Sequence, residues 1–238
     1  MESNLVRVPE PAIMIPDEEM DYIKCNSVVF QDGHPLLKPF FKDFCPGLPS
    51  ARNLRILDAG CGMAAIAVHI AMELPEAYVV AVDASVVMLR YAKVFVNHLK
   101  LGDRVSVRCA WLPDAGFGEP DQSFDLVFAR STLHHFMDPK DFWKIVKRYA
   151  KKDAAVFVID LLRPPDIARL NELVRQRCGD QTSPIRSAFQ ASLLAAHTLG
   201  EIGHQLIDAG LYDIVLKPFP EGTHMTATRV GRFGKRIL

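Results

Sequence analysis

The stretch Leu54-Arg55-Ile56-Leu57-Asp58-Ala59-Gly60-Cys61-Gly62 decides the fold of this chain. It joins a short apolar run to a glycine-rich turn, and the helical pattern of residues 63–74 follows directly. A strand that enters a helix through Gly-x-Gly brings backbone N–H groups close to a ligand. Gly60 allows the tight turn, and Gly62 lets a ligand approach the backbone. The stretch therefore predicts a binding site at the end of the first strand of an α/β sheet.

Apolar runs alternate with helical segments after this turn. Strands are predicted over 54–58, 78–83, 105–109, 124–129 and 155–160, with helices over 63–74, 85–99 and 139–151 between them. This alternation indicates βαβ units with right-handed crossovers and a buried parallel sheet. Two further strands, over 212–217 and 223–230, follow a helix that starts at the capping box Thr198-Leu199-Gly200-Glu201. The predicted fold is a Rossmann-like, doubly wound, mostly parallel seven-stranded α/β sheet.

Two segments stand outside this alternation. Residues 1–50 are predicted to form an N-terminal helical lid or extension, with helices over 18–26 and 33–45. Residues 51–238 are predicted to form one domain, which a helical insertion over 161–197 interrupts after the fifth strand.

The bulk composition is that of a folded globular protein. Apolar residues make up 49% of the chain, and 28 basic residues balance 28 acidic ones. Because a basic excess is missing, a nucleic-acid partner is not expected. The five cysteines are scattered without a Cys-x-x-Cys pair, which argues against a disulfide framework and a structural zinc site. Neither a signal peptide nor a membrane span is predicted, so the cytoplasm is the expected location.

The glycines alone do not identify the ligand, because Gly60–Ala65 also fits the Gly-x-Gly-x-x-Ala dinucleotide pattern. Asp58 argues against a dinucleotide, since a carboxylate two residues before Gly60 would repel a pyrophosphate. It suits a cationic ligand such as S-adenosylmethionine (SAM), which carries an ammonium and a sulfonium. Asp83, at the end of the second strand, is placed to accept hydrogen bonds from ribose hydroxyls.

Four motifs in order carry a family resemblance: ILDAGCG, VVAVDAS, SFDLVFARSTLHHF and FVIDLLRPP. The sequence resembles the class I SAM-dependent methyltransferases over roughly residues 52–160, and most of all the branch of ubiquinone/menaquinone-biosynthesis C-methyltransferases. The resemblance implies methyl transfer from SAM to a small-molecule acceptor by in-line displacement, with S-adenosylhomocysteine as the product.

The resemblance and the residues around its motifs together predict a set of cofactor-binding residues. These are Asp58, Gly60, Cys61, Gly62, Asp83, Ala84, Met88, Ala110, Trp111 and Arg130. Met88 either flanks the adenine or belongs to the core, and Trp111 either stacks on the adenine or packs in its loop. Where the family commonly has Gly-Asp-Ala, this chain has Cys109-Ala110-Trp111, so the acid that accepts from the adenine amine is missing unless Asp114 replaces it.

His135 and Asp160 are the candidate catalytic residues. His134 and His135 follow the fourth strand, where one of them acts as a general base or the pair anchors the loop by hydrogen bonding. Asp160 ends the fifth strand and acts as a catalytic acid or pairs with Arg163 to hold the turn. The strand ends lack the aspartates of metal-dependent catechol-type enzymes, so no magnesium site is predicted.

The acceptor site is expected where the N-terminal segment and the insertion meet the sheet edge. Their apolar side chains either wall an acceptor pocket or pack on the body of the fold. Those that could contribute are Ile167, Leu170, Leu173, Val174, Phe189, Leu193 and Leu194 of the insertion, and Tyr22, Phe30, Phe40 and Phe41. A homodimer is an open alternative to a monomer.

Two other functions compete with methyl transfer. One is a non-catalytic sensor or scaffold on the same fold. The other is an NAD(P)-dependent oxidoreductase, which Asp58 and the lack of a Tyr-x-x-x-Lys motif disfavour.

Overall fold

Apolar segments rich in Val, Ile and Leu form the central strands of the protein. A computed structural model describes residues 3–10, 41–42, 45–112, 117–179 and 184–234. Its strands are β1 Arg55–Ala59, β2 Tyr78–Asp83, β3 Val105–Cys109, β4 Phe124–Arg130, β5 Ala150–Leu161, β6 Val215–Pro218 and β7 His224–Arg229. Its helices are α1 Ala65–Glu73, α2 Val86–His98, α3 Pro139–Tyr149, α4 Ile167–Cys178, α5 Pro184–Ala195 and α6 Leu199–Ala209. Short 3₁₀ helices span Leu133–His135 and Gly231–Phe233.

The strands form one seven-stranded sheet in the order β3-β2-β1-β4-β5-β7-β6. The pairs among β1 to β5 are parallel, whereas β7 pairs antiparallel with both β5 and β6. The predicted Rossmann-like, mostly parallel sheet is therefore confirmed, and the structure shows that it is mixed at one edge. The strand order reverses between β1 and β4, which is where ligands bind in open α/β sheets.

Each face of the sheet is covered by helices, and alternate residues of one strand serve opposite faces. Ile56 of β1 packs in the cluster that includes α1 and α2 residues, and Leu57 packs in the cluster that includes α3 and α6 residues. In the second cluster the Trp143 Nε1–H donates to Gln205 Oε1 at 3.0 Å, which satisfies a buried indole. Burial on both faces explains why the strands read as continuous apolar runs.

The fifth strand is longer than predicted. Apolar residues indicated a strand over 155–160, but β5 already begins at Ala150, directly after α3. Residues 151–153 are partly or fully exposed, so they lack an apolar signal, yet Ala150 still pairs with Phe124 beyond a register shift in β4. Tertiary pairing therefore extends the strand where the sequence pattern is polar.

The predicted helical insertion consists of α4 and α5. Leu170, Leu173 and Val174 of α4 pack against Leu193 of α5, and Leu161 at the end of β5 joins them in a small core of their own. Phe189 and Leu194 are partly buried against this core, and Ile167 is exposed. The side chains other than Ile167 therefore pack within the fold, as the second alternative predicted, with Phe189 and Leu194 at the margin of the core.

Residues 3–10 form a segment without helix or strand, which we call the N-terminal strap, and it contacts the insertion. The Asn4 N–H donates to Pro165 O at 2.8 Å, and the Val8 N–H donates to Leu194 O at 3.1 Å. The predicted helix over 18–26 lies outside the described residues, as do Tyr22, Phe30 and Phe40. The helix over 33–45 lies outside them too except at residues 41, 42 and 45, so the lid over 1–50 stays a prediction.

Phe41 lies in the larger core, not at the edge of the sheet where the acceptor is expected. Among the described helices, none combines the length and the apolar character that crossing a bilayer requires.

Candidate functional site

The glycine-rich turn lies at the carboxyl end of β1, between the ends of β2 and β4. Gly60 has a φ of +77°, which disfavours any residue with a Cβ. A Cβ on Gly60 would lie 2.4 Å from both Oγ1 and Cγ2 of Thr132. The Gly60 and Cys61 N–H groups both donate to Val82 O, at 2.8 and 3.0 Å. The turn is thus held between its two neighbouring strands, and Gly60 is required by close approach as well as by conformation.

Asp58 is a buried carboxylate at the start of this turn. Its side chain is 2% exposed, and its Oδ2 has no hydrogen-bond partner among the described residues. Burial, and then the nearby charge of Asp83, raise the pKa of Asp58 to about 7. A buried acid with a free oxygen and no counter-charge is a suitable partner for a cationic ligand group.

Asp83 closes the site on the β2 side. Its Oδ2 accepts from the Gly62 N–H at 2.7 Å, and its Oδ1 accepts from the Ser85 N–H at 2.8 Å. These bonds fix the carboxylate at the rim of the turn, and each oxygen keeps a second lone pair for another donor. The structure therefore brings together Asp58, Asp83 and the glycine turn, as predicted.

The residues predicted for the adenine end lie beside the end of β3. The Ala110 N–H donates to Asp83 O at 3.0 Å, which places Ala110 next to the rim acid, and Ala84 follows that acid directly. Met88 is buried in α2, and Trp111 is 44% exposed. Trp111 is thus exposed where the sequence predicts the adenine, and its stacking on the adenine stays a prediction. Asp114 lies outside the described residues.

The segment after β4 carries the next predicted residues. Arg130 ends β4, and Ser131 has a φ of +51°. Two backbone carbonyl oxygens lie within hydrogen-bond distance of the Thr132 hydroxyl, Ala59 O at 3.1 Å and Arg130 O at 2.9 Å, and the hydroxyl donates to one of them at a time. Thr132 therefore joins this segment to the glycine-rich turn, a role the sequence analysis missed because a threonine in a loop gives no distinctive signal.

Asp160 organises the turn after β4 from the end of β5. Its Oδ2 accepts from the Thr132 and Leu133 N–H groups at 2.9 and 2.7 Å, and its Oδ1 accepts from the Leu161 N–H at 2.7 Å. Oδ1 also lies 2.5 Å from His134 Nδ1. Burial opposes the charged carboxylate, but the His134 ring and the Leu161 N–H bring the pKa of Asp160 to about 2.

The Asp160–Arg163 pair that the sequence offered as an alternative is not formed among the described contacts. The Arg163 guanidinium instead donates to Ala196 O at 3.0 Å and to Glu201 Oε1 at 2.6 Å. Arg163 follows β5 by two residues, and its side chain reaches the insertion. The His134 ring after β4 is therefore the side-chain partner of Asp160.

The two histidines after β4 have different surroundings. His134 is 2% exposed, and Asp160 raises its pKa although burial alone would lower it. The side chain of His135 is 39% exposed, and its Nδ1 lies 3.0 Å from Glu10 Oε2. His134 thus anchors the loop, as one alternative predicted, while His135 lies at the surface of the site.

The strap contributes two residues that the sequence analysis missed. The Arg7 guanidinium donates to His134 O and Phe136 O at 3.1 and 2.9 Å and to Ala195 O at 2.7 Å. Glu10 approaches both histidines from the same side. No motif marks the two residues, because the fold alone brings the strap to the end of β4.

Comparison with known proteins matches part of the chain to methyltransferases. Residues 56–153 match the family model described as a methyltransferase domain. The chain is 49% identical over 129 residues to a release factor glutamine methyltransferase of Rhodopirellula baltica, which covers 52% of this chain and 41% of that protein. It is 25% identical over 176 residues to phosphoethanolamine N-methyltransferase 1 of Arabidopsis thaliana, which covers 73% of this chain and 32% of that protein. The chain thus spans less than half the length of these two relatives.

The fold is shared with a solved structure of a SAM-dependent methyltransferase from Aquifex aeolicus. The TM-score is 0.58 at 23% identity, and the match covers 83% of this chain and 88% of that one. Together with the family match, this agrees with the predicted enzyme class and cofactor. Residues 56–153 of this chain therefore match the methyltransferase-domain family model, and the chain shares the fold of a solved SAM-dependent methyltransferase.

Proposed function

We propose that the chain transfers a methyl group from SAM to a small-molecule acceptor. The observation that carries the proposal is the buried, unpartnered Oδ2 of Asp58 at the glycine-rich turn. A dinucleotide pyrophosphate would bring negative charge to this acid, whereas the methionyl ammonium of SAM would neutralise it. The cofactor residues fit SAM in this respect, because among the described residues Asp58 Oδ2 has no hydrogen-bond partner and is free to accept from the ammonium.

The chain's own residues would bind and orient the cofactor. Asp58 would hold the methionyl end, and the turn from Gly60 to Gly62 would allow the ligand close to the backbone. Asp83 would accept from the ribose, with Ala84, Met88, Ala110 and Trp111 around the adenine. When bound, SAM supplies a methyl group on a positively charged sulfur, and loss of that methyl leaves neutral S-adenosylhomocysteine.

The chemistry asks little more of the protein than alignment and a dry site. Where the methyl acceptor must lose a proton, we assign His135 as the base that takes this proton. Its ring is partly exposed, and its Nδ1 lies beside Glu10 Oε2. The described hydrogen bonds of Asp160 are to the turn after β4, to His134 and to the Leu161 N–H, so we assign it a positioning role. Its low pKa makes it a poor base near neutral pH.

The acceptor class rests on the relatives and on the insertion. Two matched proteins are named for different acceptors, phosphoethanolamine and a release-factor glutamine, so the name of one does not transfer. The resemblance to ubiquinone/menaquinone C-methyltransferases favours an organic acceptor with an apolar part. The margin of the insertion core, at Phe189 and Leu194, is the described apolar surface that could contact it.

Titration calorimetry tests the cofactor. SAM and S-adenosylhomocysteine are expected to bind, and NADH is not. Absence of SAM binding at millimolar concentration would overturn the proposal. Tighter binding of NADH than of SAM would favour an oxidoreductase instead.

Catalysis needs a second measurement. The protein is incubated with SAM carrying a labelled methyl group and a metabolite extract, and label is expected in an acceptor of low molecular mass. Binding of SAM without transfer to any component would instead support a non-catalytic sensor.

A further inference from the structure

Three side chains meet beside the turn after β4 with donor atoms of metal-ligand type. Glu10 of the strap, His134 and His135 each offer one such atom, and these atoms all lie within 4.8 Å of one another. The strap brings the carboxylate, and the 3₁₀ helix Leu133–His135 brings both rings. We call these residues the Glu-His-His cluster.

The spacing of the cluster is close to that of a bound zinc ion. Zinc–nitrogen and zinc–oxygen distances near 2.0–2.1 Å in a tetrahedral site place two ligand atoms roughly 3.4 Å apart. Glu10 Oε2 lies 3.0 Å from His135 Nδ1 and 3.6 Å from His134 Nε2. Both separations differ from the expected value by a few tenths of an ångström, and the third pair, His134 Nε2 and His135 Nδ1, lies within 4.8 Å.

An independent observation points to a ligand at the same place. His134 is almost fully buried, and its Nε2 has no hydrogen-bond partner among the described residues. Its other nitrogen, Nδ1, lies 2.5 Å from Oδ1 of Asp160. A histidine that binds a metal through one nitrogen typically donates its other N–H to a carboxylate, which fixes the ring and its tautomer.

The outer shell of Glu10 fits the same arrangement. The Ser192 hydroxyl of α5 lies 3.2 Å from its Oε1 and 3.3 Å from its Oε2, and Oε2 also approaches the two rings. Each ligand of the cluster except the exposed His135 is thus oriented by a second polar group.

We propose that the Glu-His-His cluster binds a divalent cation of the zinc class and fastens the strap to the turn after β4. Two imidazoles and one carboxylate favour zinc over magnesium or calcium, which prefer all-oxygen sites. Three protein ligands leave a fourth position for water or a ligand. The site differs from the magnesium site considered in the sequence, because its donors come from the strap and the histidines instead of strand-end aspartates.

The cation site does not rest on the proposed methyl transfer, but the two share His135. Zinc would occupy Nδ1 of His135 and leave that ring unable to accept a proton. Added zinc is therefore expected to lower any turnover that uses His135 as a base, whereas the binding itself is measured without turnover.

The test measures binding of Zn²⁺ alone to the full chain, without a histidine tag and after removal of metal by a chelator. Competition with a chromophoric chelator gives stoichiometry and affinity. One Zn²⁺ per chain is expected, and Glu10→Gln and His135→Ala are each expected to weaken binding by about tenfold or more. The matched controls Glu76→Gln and His98→Ala change exposed residues far from the cluster and are expected to bind as the unchanged chain does.

A second readout follows the strap. Zinc is expected to slow hydrogen exchange of the Val8 N–H, which is bonded to Leu194 O, in the unchanged chain and in the controls only. Equal zinc affinity in Glu10→Gln and the unchanged chain would overturn the proposal. So would a stoichiometry below one Zn²⁺ per chain at about 0.1 mM zinc.

Discussion

Asp58 illustrates how one buried carboxylate defines what a site can bind. Burial and the nearby charge of Asp83 disfavour its ionised form. Its Oδ2 has no hydrogen-bond partner among the described residues. Asp58→Asn keeps the shape but removes the charge, so the affinity for SAM is expected to fall by about 10- to 100-fold, the value of a charge-assisted hydrogen bond. Calorimetry measures this, with the exposed Asp103→Asn as the matched control. An unchanged affinity in Asp58→Asn would place the ammonium elsewhere.

The same residue predicts a pH dependence. Because the pKa of Asp58 is raised to about 7, the ligand-free chain holds a proton there below that pH. A cationic ligand must displace this proton, so affinity for SAM is expected to rise as pH increases from 5.5 to about 7 and then to level off. The stability of the ligand-free chain is expected to change in the opposite direction and to fall as pH rises. A raised acid pKa stabilises the folded state at low pH, and this contribution is lost between about pH 4 and 7. In Asp58→Asn both trends should disappear.

Substitution of Gly60 by alanine is expected to cause both backbone strain and a steric collision, and Gly210 allows the two effects to be distinguished. Gly60→Ala adds a Cβ at positive φ and places it 2.4 Å from two atoms of Thr132, so rotation of that side chain brings no relief. Gly210 also has a positive φ, 68°, but the nearest atom to its added Cβ is the flexible Lys147 Nζ at 3.6 Å. Gly210→Ala is therefore expected to cost about 1 kcal/mol of unfolding free energy, and Gly60→Ala about 2–4 kcal/mol. Urea denaturation of both variants checks the difference, and equal losses would show that the turn moves aside.

At the scale of elements, Asp160 joins the end of β5 to the turn after β4. Asp160→Asn can still accept from Thr132 and Leu133 but loses the charge beside His134. Removing one partner of a buried ion pair is expected to cost about 3–5 kcal/mol of unfolding free energy near pH 6. Asp153→Asn, an exposed change on the same strand, is the control and is expected to have little effect.

The pH dependence of this pair follows from both partners. The pKa of Asp160 is lowered to about 2, so its contribution to stability is present above pH 4 and is lost as pH falls towards 2. The pKa of His134 is raised, so its contribution is present below its ordinary pKa near 6.5 and is lost as pH rises through the raised value. The unchanged chain should therefore lose more stability than Asp160→Asn between pH 4 and 2.5. Parallel losses in urea denaturation would mean that other carboxylates dominate.

The regular elements could be predicted because their signals are local. Apolar runs marked β1 to β4, and Thr198 and Glu201 marked the start of α6 through a capping box that the structure contains. The polar first residues of β5 gave no such signal, because their strand conformation depends on pairing with β4. Local patterns indicate elements, whereas edges of elements depend on neighbours that the sequence does not show.

The candidate site likewise contains residues whose placement the sequence predicts and contacts that it does not predict. Asp58, Gly60 and Asp83 lie on consecutive strand ends, so their meeting at one sheet edge follows from topology alone. The contacts of Glu10 with the histidines join residues more than one hundred positions apart, and neither spacing nor residue type indicates them. Whether His135 accepts a proton stays a prediction, as does the identity of the acceptor.

Arg7 connects separate parts of the whole molecule. Its guanidinium binds carbonyls of the turn after β4 and of the end of α5, at His134, Phe136 and Ala195. Arg7→Ala leaves these acceptors without their donor, so faster hydrogen exchange is expected over 131–137 and 186–197, with the central strands unchanged. Arg52→Ala removes an exposed ion pair and serves as the control. Uniformly faster exchange across the sheet in Arg7→Ala would show a loss of global stability instead of local loosening.

The antiparallel insertion of β7 between β5 and β6 has a consequence for how the chain is made. When β5 leaves the ribosome, its outer edge has no partner, and roughly 60 residues must follow before β7 can cover it. At typical translation rates this leaves an apolar strand edge open for about 3–12 s. The newborn protein is then a ready partner for chaperones or for another unfinished copy. Slow synthesis of residues 162–223 is therefore expected to favour aggregation, even though the finished fold contains no such open edge at β5.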